Sequence, residues 1–377
     1  MSGTYACIAG GGTAGHLLPG IAVADALVAA GHDRTSIHFV GGAHGPEATT
    51  VPAHGYALTM LPGRGVPRRL SWASLKAALS IVAGIGVGIR LMRRLRPRVV
   101  IVLGGYAAVP CVVGAILWRL PMVIMEQNAR AGAANRLAGP FAKAAAVPFA
   151  ETDLRRAVVT GNPVRPEILA VDRPSGTAAA RQRLDIPLDR IVIAVFSGSL
   201  GSRRINEAVQ GLARRWSNRN DLAIHHVVGA REWDANDAPV DPEPAPGDGA
   251  AGGLWYRRVR YEERMPDLLA AADVAVCRAG GSTVAELAQV GLGAILVPLP
   301  IAPRDHQRAN AEVLVRAGAA VRIPDDELDA ERLGGELDTL LAEEGTLTAM
   351  AVAARSLAHP DAAARVAALA EEHARRG

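Results

Sequence analysis

Cysteine, aromatic residues and long apolar runs are all scarce in this chain of 377 residues. The three cysteines, Cys7, Cys111 and Cys277, show neither metal-ligand spacing nor a disulfide framework, so a reducing cytosol is the expected compartment. The longest apolar run, residues 77–89, is shorter than the roughly 18 residues that a membrane-spanning helix needs. We therefore expect a chain without a signal peptide that is soluble or rests on a membrane without crossing it.

A strong excess of one charge is also missing, because the formal net charge is only +4 and no basic stripe with interleaved aromatics is present. This argues against nucleic acid as a partner. Half of the residues are hydrophobic, which indicates a globular chain, and the length suggests about two domains. Aromatics make up 4% while Ala, Val, Leu and Gly are abundant, a mixture typical of helices packed closely on a parallel sheet.

The chain alternates short apolar runs with longer helical patterns, which predicts βαβ units and an α/β fold. In the first half, the predicted strands are residues 5–9, 36–40, 99–103, 121–125 and 144–148, and the predicted helices are residues 19–30, 70–95 and 110–119. In the second half, the predicted strands are residues 191–196, 223–228, 274–277 and 294–297. Two successive doubly wound halves place a ligand at the carboxyl ends of their strands.

A turn-rich stretch at residues 161–166, with Pro163 and Pro166, predicts a hinge between the two halves. We expect an N-terminal domain at residues 1–163 and a C-terminal domain at residues 164–346. The Ala-rich tail, residues 347–377, is expected to be helical, with a break at His359-Pro360, and to pack back on the first domain. Residues 234–253 are rich in Asp, Pro and Gly and are interpreted as a solvated loop rather than an Asp-x-Asp metal site.

A glycine-rich turn, GGGTAGH at residues 10–16, follows the first predicted strand and opens the first helix. Glycines let the backbone approach a ligand there, and the helix N-terminus offers N–H groups to an anion. The spacing matches neither a dinucleotide fingerprint nor a Walker A loop. His16 lies at the helix start, and histidine suits a general base because it titrates near neutrality. A plain strand–helix turn with a hydrogen-bonded histidine stays open as the alternative.

Three more polar loops follow predicted strands in the second half. SGSLGS at residues 197–202 repeats the glycine turn, and RAGGSTVAE at residues 278–286 runs from a strand into a helix. Glu286 lies about one helical turn in, where a carboxylate either accepts hydrogen bonds from a ribose diol or stabilises the helix start. The loop at residues 299–310, with Asp305, Gln307 and Asn310, suits sugar hydroxyls or is a turn followed by a cap.

The ordered set of these motifs resembles the MurG family of N-acetylglucosaminyltransferases, part of the GT-B glycosyltransferase superfamily. The matching stretches are GGGTAGHLLP (10–19), GGYAAVP (104–110), EQNARAGAAN (126–135), GNPVR (161–165), GSLGS (198–202), RAGGSTVAE (278–286) and residues 297–311 with DHQRANA. The resemblance implies two doubly wound, Rossmann-like parallel-sheet domains that face each other across a cleft. It also implies inverting transfer of GlcNAc from UDP-GlcNAc to the C4 hydroxyl of MurNAc-pentapeptide in lipid I, an undecaprenyl-diphosphate-linked acceptor, for peptidoglycan synthesis.

The resemblance further implies roles for individual residues, with His16 as the base that deprotonates the acceptor hydroxyl. The implied substrate-binding residues are Thr13, Ala14 and Gly15 on the diphosphate and acceptor side, Asn128 on the donor sugar, Arg165 and Ser199 on the UDP diphosphate, Gly281, Ser282 and Thr283 at the uridine, Glu286 on the ribose, and Gln307 on the sugar hydroxyls. No metal and no cofactor are implied, since helix-end amides and Arg165 would stabilise the departing UDP.

Four positions differ from the residues usual in the family: Ala14, Met125, Leu200 and Glu262, the last where an apolar residue often contacts uracil. Two other enzyme interpretations are a glycosyltransferase for another glycolipid or secondary-metabolite acceptor and a UDP-sugar epimerase, although no clear carboxylate pair for an epimerase is present. A UDP-sugar-binding relative with weakened activity is the non-enzyme interpretation. His16, Glu286 and Gln307 favour an active transferase.

Residues 70–98 combine an apolar segment with basic flanks, formed by Arg68, Arg69 and Lys76 before it and Arg90, Arg93, Arg94, Arg96 and Arg98 after it. Such a face rests on anionic headgroups, with each charge contributing ~1 kcal/mol. The alternative is a core helix with a solvated basic end, and the glycines at 84, 86 and 88 lower its helix propensity. Because a polyprenyl substrate must be reached, we expect peripheral contact with the cytoplasmic face of the cell membrane.

Overall fold

The computed structural model describes residues 3–42, 45–61, 72–235 and 253–376. The chain divides into two compact units, Met1–Arg165 with His359–Gly377, and Pro166–Ala358. Within the described ranges, no helix combines the length and apolarity that crossing a bilayer requires. Several sequence predictions fall outside the described part of the chain: residues 236–252 of the predicted loop, the first two residues of the predicted helix 70–95, Arg68, Arg69 and the side chain of Lys76.

Seven parallel strands form the sheet of the first unit, in the order β3-β2-β1-β4-β5-β6-β7. Their bounds are β1 Ala6–Gly10, β2 Ile37–Gly42, β3 Ala57–Leu61, β4 Val99–Gly104, β5 Met122–Met125, β6 Ala144–Val147 and β7 Ala157–Val159. The strand order reverses between β1 and β4, which pair directly. In doubly wound sheets, ligands bind outside the carboxyl ends of the strands at such a reversal.

This sheet is buried on both faces, as the alternation along β1 shows. Ala6 and Ile8 pack into the core on one face, whereas Cys7 and Ala9 pack into the core on the other. The neighbouring strand β4 reads VVIVLG and is buried throughout, as expected for a central parallel strand. Each large aliphatic side chain buried in this way contributes about 1.5–3 kcal/mol to stability.

Helices cover this sheet, with bounds α1 Ala14–Ala29, α2 Glu47–Ala53, α3 Trp72–Leu95, α4 Ala108–Leu117, α5 Ala133–Ala138 and, from the end of the chain, α15 Ala362–His373. Helix α15 packs on α1, and its Val366 and Ala370 join the same core as Leu17. His32, after α1, lies 2.8 Å from a carboxylate oxygen of Glu371 on α15. The last helix therefore completes the core of the first unit.

Helices α3 and α4 approach closely because small residues face each other. A Cβ atom at Gly88 would lie 2.6 Å from Cβ of Pro110, and one at Gly114 would lie 2.8 Å from Cγ of Met92. The Nε1 atom of Trp118 donates a hydrogen bond to the carbonyl of Ile89 at 3.1 Å. Close packing on α4 therefore explains why α3 contains Gly88, although glycine lowers its helix propensity.

Six parallel strands form the sheet of the second unit, in the order β10-β9-β8-β11-β12-β13. Their bounds are β8 Ile191–Phe196, β9 Leu222–Val227, β10 Trp255–Val259, β11 Val274–Cys277, β12 Ala294–Leu296 and β13 Ala320–Arg322. The helices are α6 Pro166–Leu169, α7 Arg173–Arg183, α8 Arg203–Arg215, α9 Ala230–Ala235, α10 Met265–Ala271, α11 Gly281–Val290, α12 His306–Arg316, α13 Ala330–Ala342 and α14 Thr346–Arg355. The strand order again reverses, here between β8 and β11.

The C-terminal tail divides between the two units. Helix α14 packs on α11 and α13 and belongs to the second unit, whereas α15 belongs to the first. The sequence analysis expected all of residues 347–377 to return to the first domain. In the structure, only the residues from His359 onward belong to the first unit. Met350 and Ala354 of α14 are buried within the second unit, which keeps that helix there.

Candidate active site

The first glycine turn connects β1 to α1 at the reversal point of the first sheet. Gly10, Gly11 and Gly12 have φ values of +143°, +141° and +96°, which side-chain-bearing residues rarely adopt. A Cβ atom at Gly10 would lie 2.8 Å from Cβ of Leu103 and 2.5 Å from the carbonyl oxygen of Gly104. Glycine is therefore required here because the turn runs directly against the end of β4.

Thr13 and His16 meet at the start of α1. Thr13 is the N-cap residue in an extended conformation, but its side chain makes no capping hydrogen bond. Its Oγ1 lies 2.8 Å from Nδ1 of His16 instead. Ala14 and Gly15, the other two candidates in this turn, are the first residues of the helix. The structure thus joins the candidate base to a hydroxyl on the same helical turn.

Asn128 is held by a buried carboxylate to which the sequence analysis assigned no role. Oε1 of Glu126 accepts hydrogen bonds from the backbone N–H of Gln127 at 3.0 Å and from the backbone and side-chain N–H groups of Asn128 at 3.1 and 3.2 Å. Oε2 accepts from the N–H of Gly132 at 3.0 Å and from Nδ2 of Asn135 at 2.8 Å. Glu126 therefore fixes the whole loop after β5.

The loop after β5 adjoins the turn after β4. A Cβ atom at Gly104 would lie 3.2 Å from Nδ2 of Asn135, and the N–H of Gly11 donates to the carbonyl of Gly104 at 3.3 Å. Three of the motifs quoted from the sequence, at residues 10–19, 104–110 and 126–135, are thus neighbours in the first unit. Arg165 ends the first of the two segments that make up the first unit and is half-buried.

The second glycine turn, residues 197–202, connects β8 to α8 in the second unit. Gly198 and Gly201 have φ values of +86° and +87°. The carbonyl of Ser199 accepts a hydrogen bond from the N–H of Ala230 at 3.0 Å, and Leu200 is 58% exposed. The turn is therefore anchored by its backbone to α9, while Leu200 projects from it.

Arg278 joins several loops at the carboxyl ends of the strands of the second sheet. Its Nη2 donates to Oγ of Ser202, the N-cap of α8, at 2.6 Å. Its Nη1 donates to Oδ1 of Asp325 at 2.6 Å, to the carbonyl of Val297 at 3.1 Å and to that of Pro298 at 3.3 Å. The sequence alone assigns Arg278 no role, because all four of these partners are remote from it in sequence.

The third turn leads from β11 into α11. Gly280 is the N-cap, and Gly281, Ser282 and Thr283 form the first turn of the helix. Burial, and then the negative charge of Glu286, raises the pKa of Cys277 at the end of β11. The carboxylate of Glu286 on α11 is therefore close enough to the end of β11 for its charge to act on the thiol of Cys277.

Gln307 and Asn310 fix the loop between β12 and α12. Oε1 of Gln307 accepts a hydrogen bond from the N–H of Leu299 at 3.0 Å, and Nδ2 of the fully buried Asn310 donates to the carbonyl of Ala279 at 3.0 Å. Arg304 and Asp305 have φ values of +56° and +55° in the same loop. The side-chain oxygen of Gln307 is thus used within the protein.

Glu262 has an internal partner. Its side chain is 8% exposed and accepts a hydrogen bond from the N–H of Arg264 at 2.8 Å, and Oε2 lies 3.0 Å from Nε2 of His225. Burial favours the neutral form of Glu262, but the nearby imidazole of His225 and the hydrogen bond from the N–H of Arg264 outweigh it, and the pKa of Glu262 is lowered. The carboxylate therefore anchors the loop after β10 from the inside.

Models of two protein-family domains match the chain. The N-terminal domain of glycosyltransferase family 28 matches residues 6–147, and the C-terminal domain of the same family matches residues 192–366. One match lies within the first unit, and the other spans most of the second unit and the start of the C-terminal segment that returns to the first.

Curated relatives match over almost the full length. The UDP-N-acetylglucosamine--N-acetylmuramyl-(pentapeptide) pyrophosphoryl-undecaprenol N-acetylglucosamine transferase of Nitrosococcus oceani is 39% identical over 362 residues, 96% of each chain. Proteins of the same name from Desulforudis audaxviator and Mycobacterium sp. (strain KMS) are 36% and 37% identical, over 98% and 100% of this chain and 98% and 97% of theirs.

Solved structures confirm the predicted GT-B fold class. MurG of Acinetobacter baumannii is 29% identical, with a TM-score of 0.73 over 98% of this chain and 99% of its own. The glycosyltransferase of kitacinnamycin and a putative UDP-N-acetylglucosamine 2-epimerase from Listeria monocytogenes have TM-scores of 0.69 and 0.65. The first is 18% identical and covers 100% of both chains. The second is 15% identical and covers 99% of this chain and 97% of its own. At these identities the two structures show a shared fold alone. The chain belongs to glycosyltransferase family 28 and, within it, to the MurG family of N-acetylglucosaminyltransferases.

Proposed function

We propose that the protein transfers GlcNAc from UDP-GlcNAc to the C4 hydroxyl of MurNAc-pentapeptide in lipid I, which forms lipid II for peptidoglycan. The observation that carries this proposal is the near full-length identity of 36–39% to relatives named for that transfer. The hydrogen-bonded pair of Thr13 and His16 at the start of α1 supports it, because it supplies a general base at the reversal point of the first sheet.

The transfer is an inverting displacement. In the tautomer that serves a base, Nδ1–H of His16 donates to Oγ1 of Thr13, and Nε2 carries the lone pair that accepts the proton of the acceptor hydroxyl. The hydroxyl oxygen forms a bond to the anomeric carbon as the bond from that carbon to the UDP oxygen breaks. UDP leaves with the electron pair, the proton stays on His16, and the new linkage is β.

The donor roles of the remaining candidates form part of the same proposal. Ser199 and the amides of its turn, together with Arg165, stabilise the charge on UDP. The first turn of α11, Gly281 to Thr283, holds the uridine and Glu286 accepts from the ribose hydroxyls. Asn128 and the amide N–H groups of Gln307 contact the sugar. Stabilisation by these fixed donors needs neither a metal nor a cofactor.

Helix α3 supports peripheral contact with the cytoplasmic face of the membrane. Its last two turns present exposed Arg90, Arg93 and Arg94, followed by exposed Arg96 and Arg98. Clustered arginines near a surface attract anionic headgroups. We expect the protein to sediment with vesicles that contain anionic lipid and to remain in solution with zwitterionic vesicles. When Arg90, Arg93 and Arg94 are replaced by Gln, the protein should no longer sediment with the anionic vesicles.

Incubation of the purified protein with labelled UDP-GlcNAc tests the activity directly. A lipid I analogue should become labelled, whereas a polyprenyl-diphosphate sugar without the muramoyl peptide should not. Labelling of other glycolipids instead would identify the acceptor as the mistaken part of the proposal. Conversion of UDP-GlcNAc without any acceptor would identify an epimerase.

A further inference from the structure

Glu47 is a buried carboxylate beneath the first glycine turn. It lies in the first turn of α2, is 1% exposed, and its Oε1 accepts a hydrogen bond from the N–H of Gly12. A Cβ atom at Gly11 would overlap Oε1, and one at Gly45 would overlap Oε2. The glycines on both sides of this carboxylate therefore leave the room that it occupies.

Several backbone N–H groups of the glycine turn donate to acceptors within the protein. The N–H of Gly11 donates to Gly104, the N–H of Gly12 donates to Glu47, and those of His16 and Leu17 donate to the carbonyl of Thr13. The sequence predicted that such amides would serve an anionic ligand. At Gly12 the N–H group already donates to a carboxylate of the protein, that of Glu47.

Tyr106 packs on the same turn from another side. A Cβ atom at Gly12 would lie 3.5 Å from Cε1 of Tyr106, and one at Gly42 would overlap its hydroxyl. Burial, and then the charge of Glu47, raises the pKa of Tyr106. The turn that carries Thr13 and His16 is therefore held between a carboxylate and an aromatic ring.

We propose that Glu47 is a positioning residue for the transfer: its hydrogen bond to Gly12 fixes the turn that presents His16. The inference rests on the proposed function. Glu47 acts through Gly12 and does not touch substrate. A misplacement of about 1 Å in a catalytic group lowers a rate by roughly 10²-fold, so the loss of this bond acts on kcat. The two loops assigned above to UDP, residues 197–202 and the start of α11, lie in the second unit, and Arg165 is remote in sequence from the turn at residues 10–16. We therefore expect the donor KM to stay unchanged.

Three variants of the full-length protein test this role. Glu47→Ala removes the acceptor, and Glu47→Gln keeps a carbonyl oxygen that accepts from Gly12. Glu331→Ala is the matched control, because Glu331 is an exposed carboxylate in the first turn of α13. Each variant is examined by hydrogen–deuterium exchange over residues 10–17 and by steady-state transfer kinetics.

We expect Glu47→Ala to exchange faster over residues 10–17 and to lose roughly 10²-fold in kcat with a donor KM within about twofold of the wild type. Glu47→Gln should recover most of both properties, and Glu331→Ala should match the wild type. Wild-type kinetics in Glu47→Ala would overturn the proposal. The proposal would also be overturned if Glu47→Gln lost as much kcat as Glu47→Ala, or if the donor KM rose by the same factor as kcat fell.

The exchange measurement separates this proposal from the proposed function. If the wild type does not glycosylate lipid I, the function fails, while protection of residues 10–17 still decides whether Glu47 holds the turn. If Glu47→Ala does not fold, Glu47→Asp replaces it, because the shorter side chain withdraws the carboxylate from Gly12. Unchanged protection and unchanged kcat in Glu47→Asp would then overturn the role.

Discussion

Oγ1 of Thr13 lies 2.8 Å from Nδ1 of His16 across the first turn of α1. A hydroxyl at an N-cap ordinarily accepts a hydrogen bond from the helix backbone, and here it engages the imidazole instead. The pair resembles the base and orienting group of other active sites, in which the partner of one ring nitrogen decides which nitrogen carries the proton. We therefore predict that Thr13 orients His16, a role that its position in the sequence alone does not reveal.

Thr13→Val should lower kcat by about tenfold, because the imidazole loses the partner that fixes its tautomer and orientation. Thr13→Ser keeps the hydroxyl and should remain close to the wild type. Steady-state kinetics with a lipid I analogue distinguish the two variants, and the donor KM should be the same in both. Equal activity of the Val and Ser variants would show that the hydroxyl does not orient His16.

Glu126→Gln should destabilise the first unit by about 2–4 kcal/mol, because the partners of this carboxylate named above are N–H donors and an amide group cannot accept on both sides. Urea denaturation measures the free energy of unfolding. Glu372→Gln, at an exposed position on α15, serves as the control. A change below about 0.5 kcal/mol in Glu126→Gln would contradict the assigned role.

Arg278→Lys should weaken UDP binding by about tenfold, the equivalent of one lost charge-assisted hydrogen bond. A lysine ammonium cannot contact Ser202 and Asp325 with the fork geometry of the guanidinium. Titration calorimetry with UDP gives the dissociation constant, and Arg214→Lys at an exposed position on α8 controls for the loss of a guanidinium. Equal affinities in the two variants would show that the loops joined by Arg278 do not depend on its guanidinium for UDP binding.

His226 should make the second unit sensitive to acid. It is fully buried between Tyr256 and Asn206, each 3.0 Å from a ring nitrogen, and burial with the nearby charges of Arg258 and His225 lowers its pKa to about 3. In the unfolded chain a histidine has a pKa of about 6.5, so protons favour unfolding as the pH falls from 6.5 towards 3. Between pH 7 and pH 4 this amounts to about 3 kcal/mol.

Urea denaturation at pH 7 and pH 4 tests this dependence, with His226→Gln as the variant that cannot titrate. The wild type should lose more stability than the variant over this range, by about the amount given above. If the wild type and His226→Gln lost the same free energy of unfolding between pH 7 and pH 4, the titration of His226 would not contribute to the acid sensitivity of the second unit.

The interior of both sheets could be predicted from the sequence, whereas their edges could not. All nine predicted strands are present, and they are the interior strands of the two sheets. The four that were missed, β3, β7, β10 and β13, are the edge strands. Edge strands bury less of their surface, so the continuous apolar signal that marks β4 is absent from them.

The site divides in a similar way. The glycine turns and His16 were found because a turn after a strand is a local pattern. Glu47, Glu126 and Arg278 were given no role, since what they do depends on hydrogen bonds to partners brought close by the fold. A buried charged residue is informative only once its burial is known.

Transfer of labelled GlcNAc to a lipid I analogue by the wild type and by His16→Ala, with UDP-GlcNAc affinity measured in parallel, tests the central claim most directly. We predict efficient transfer by the wild type, a loss of roughly 10²-fold or more in kcat for the variant, and the same donor affinity in both. A variant that transfers at the wild-type rate, or a wild type that binds UDP-GlcNAc and never glycosylates lipid I, would contradict the account.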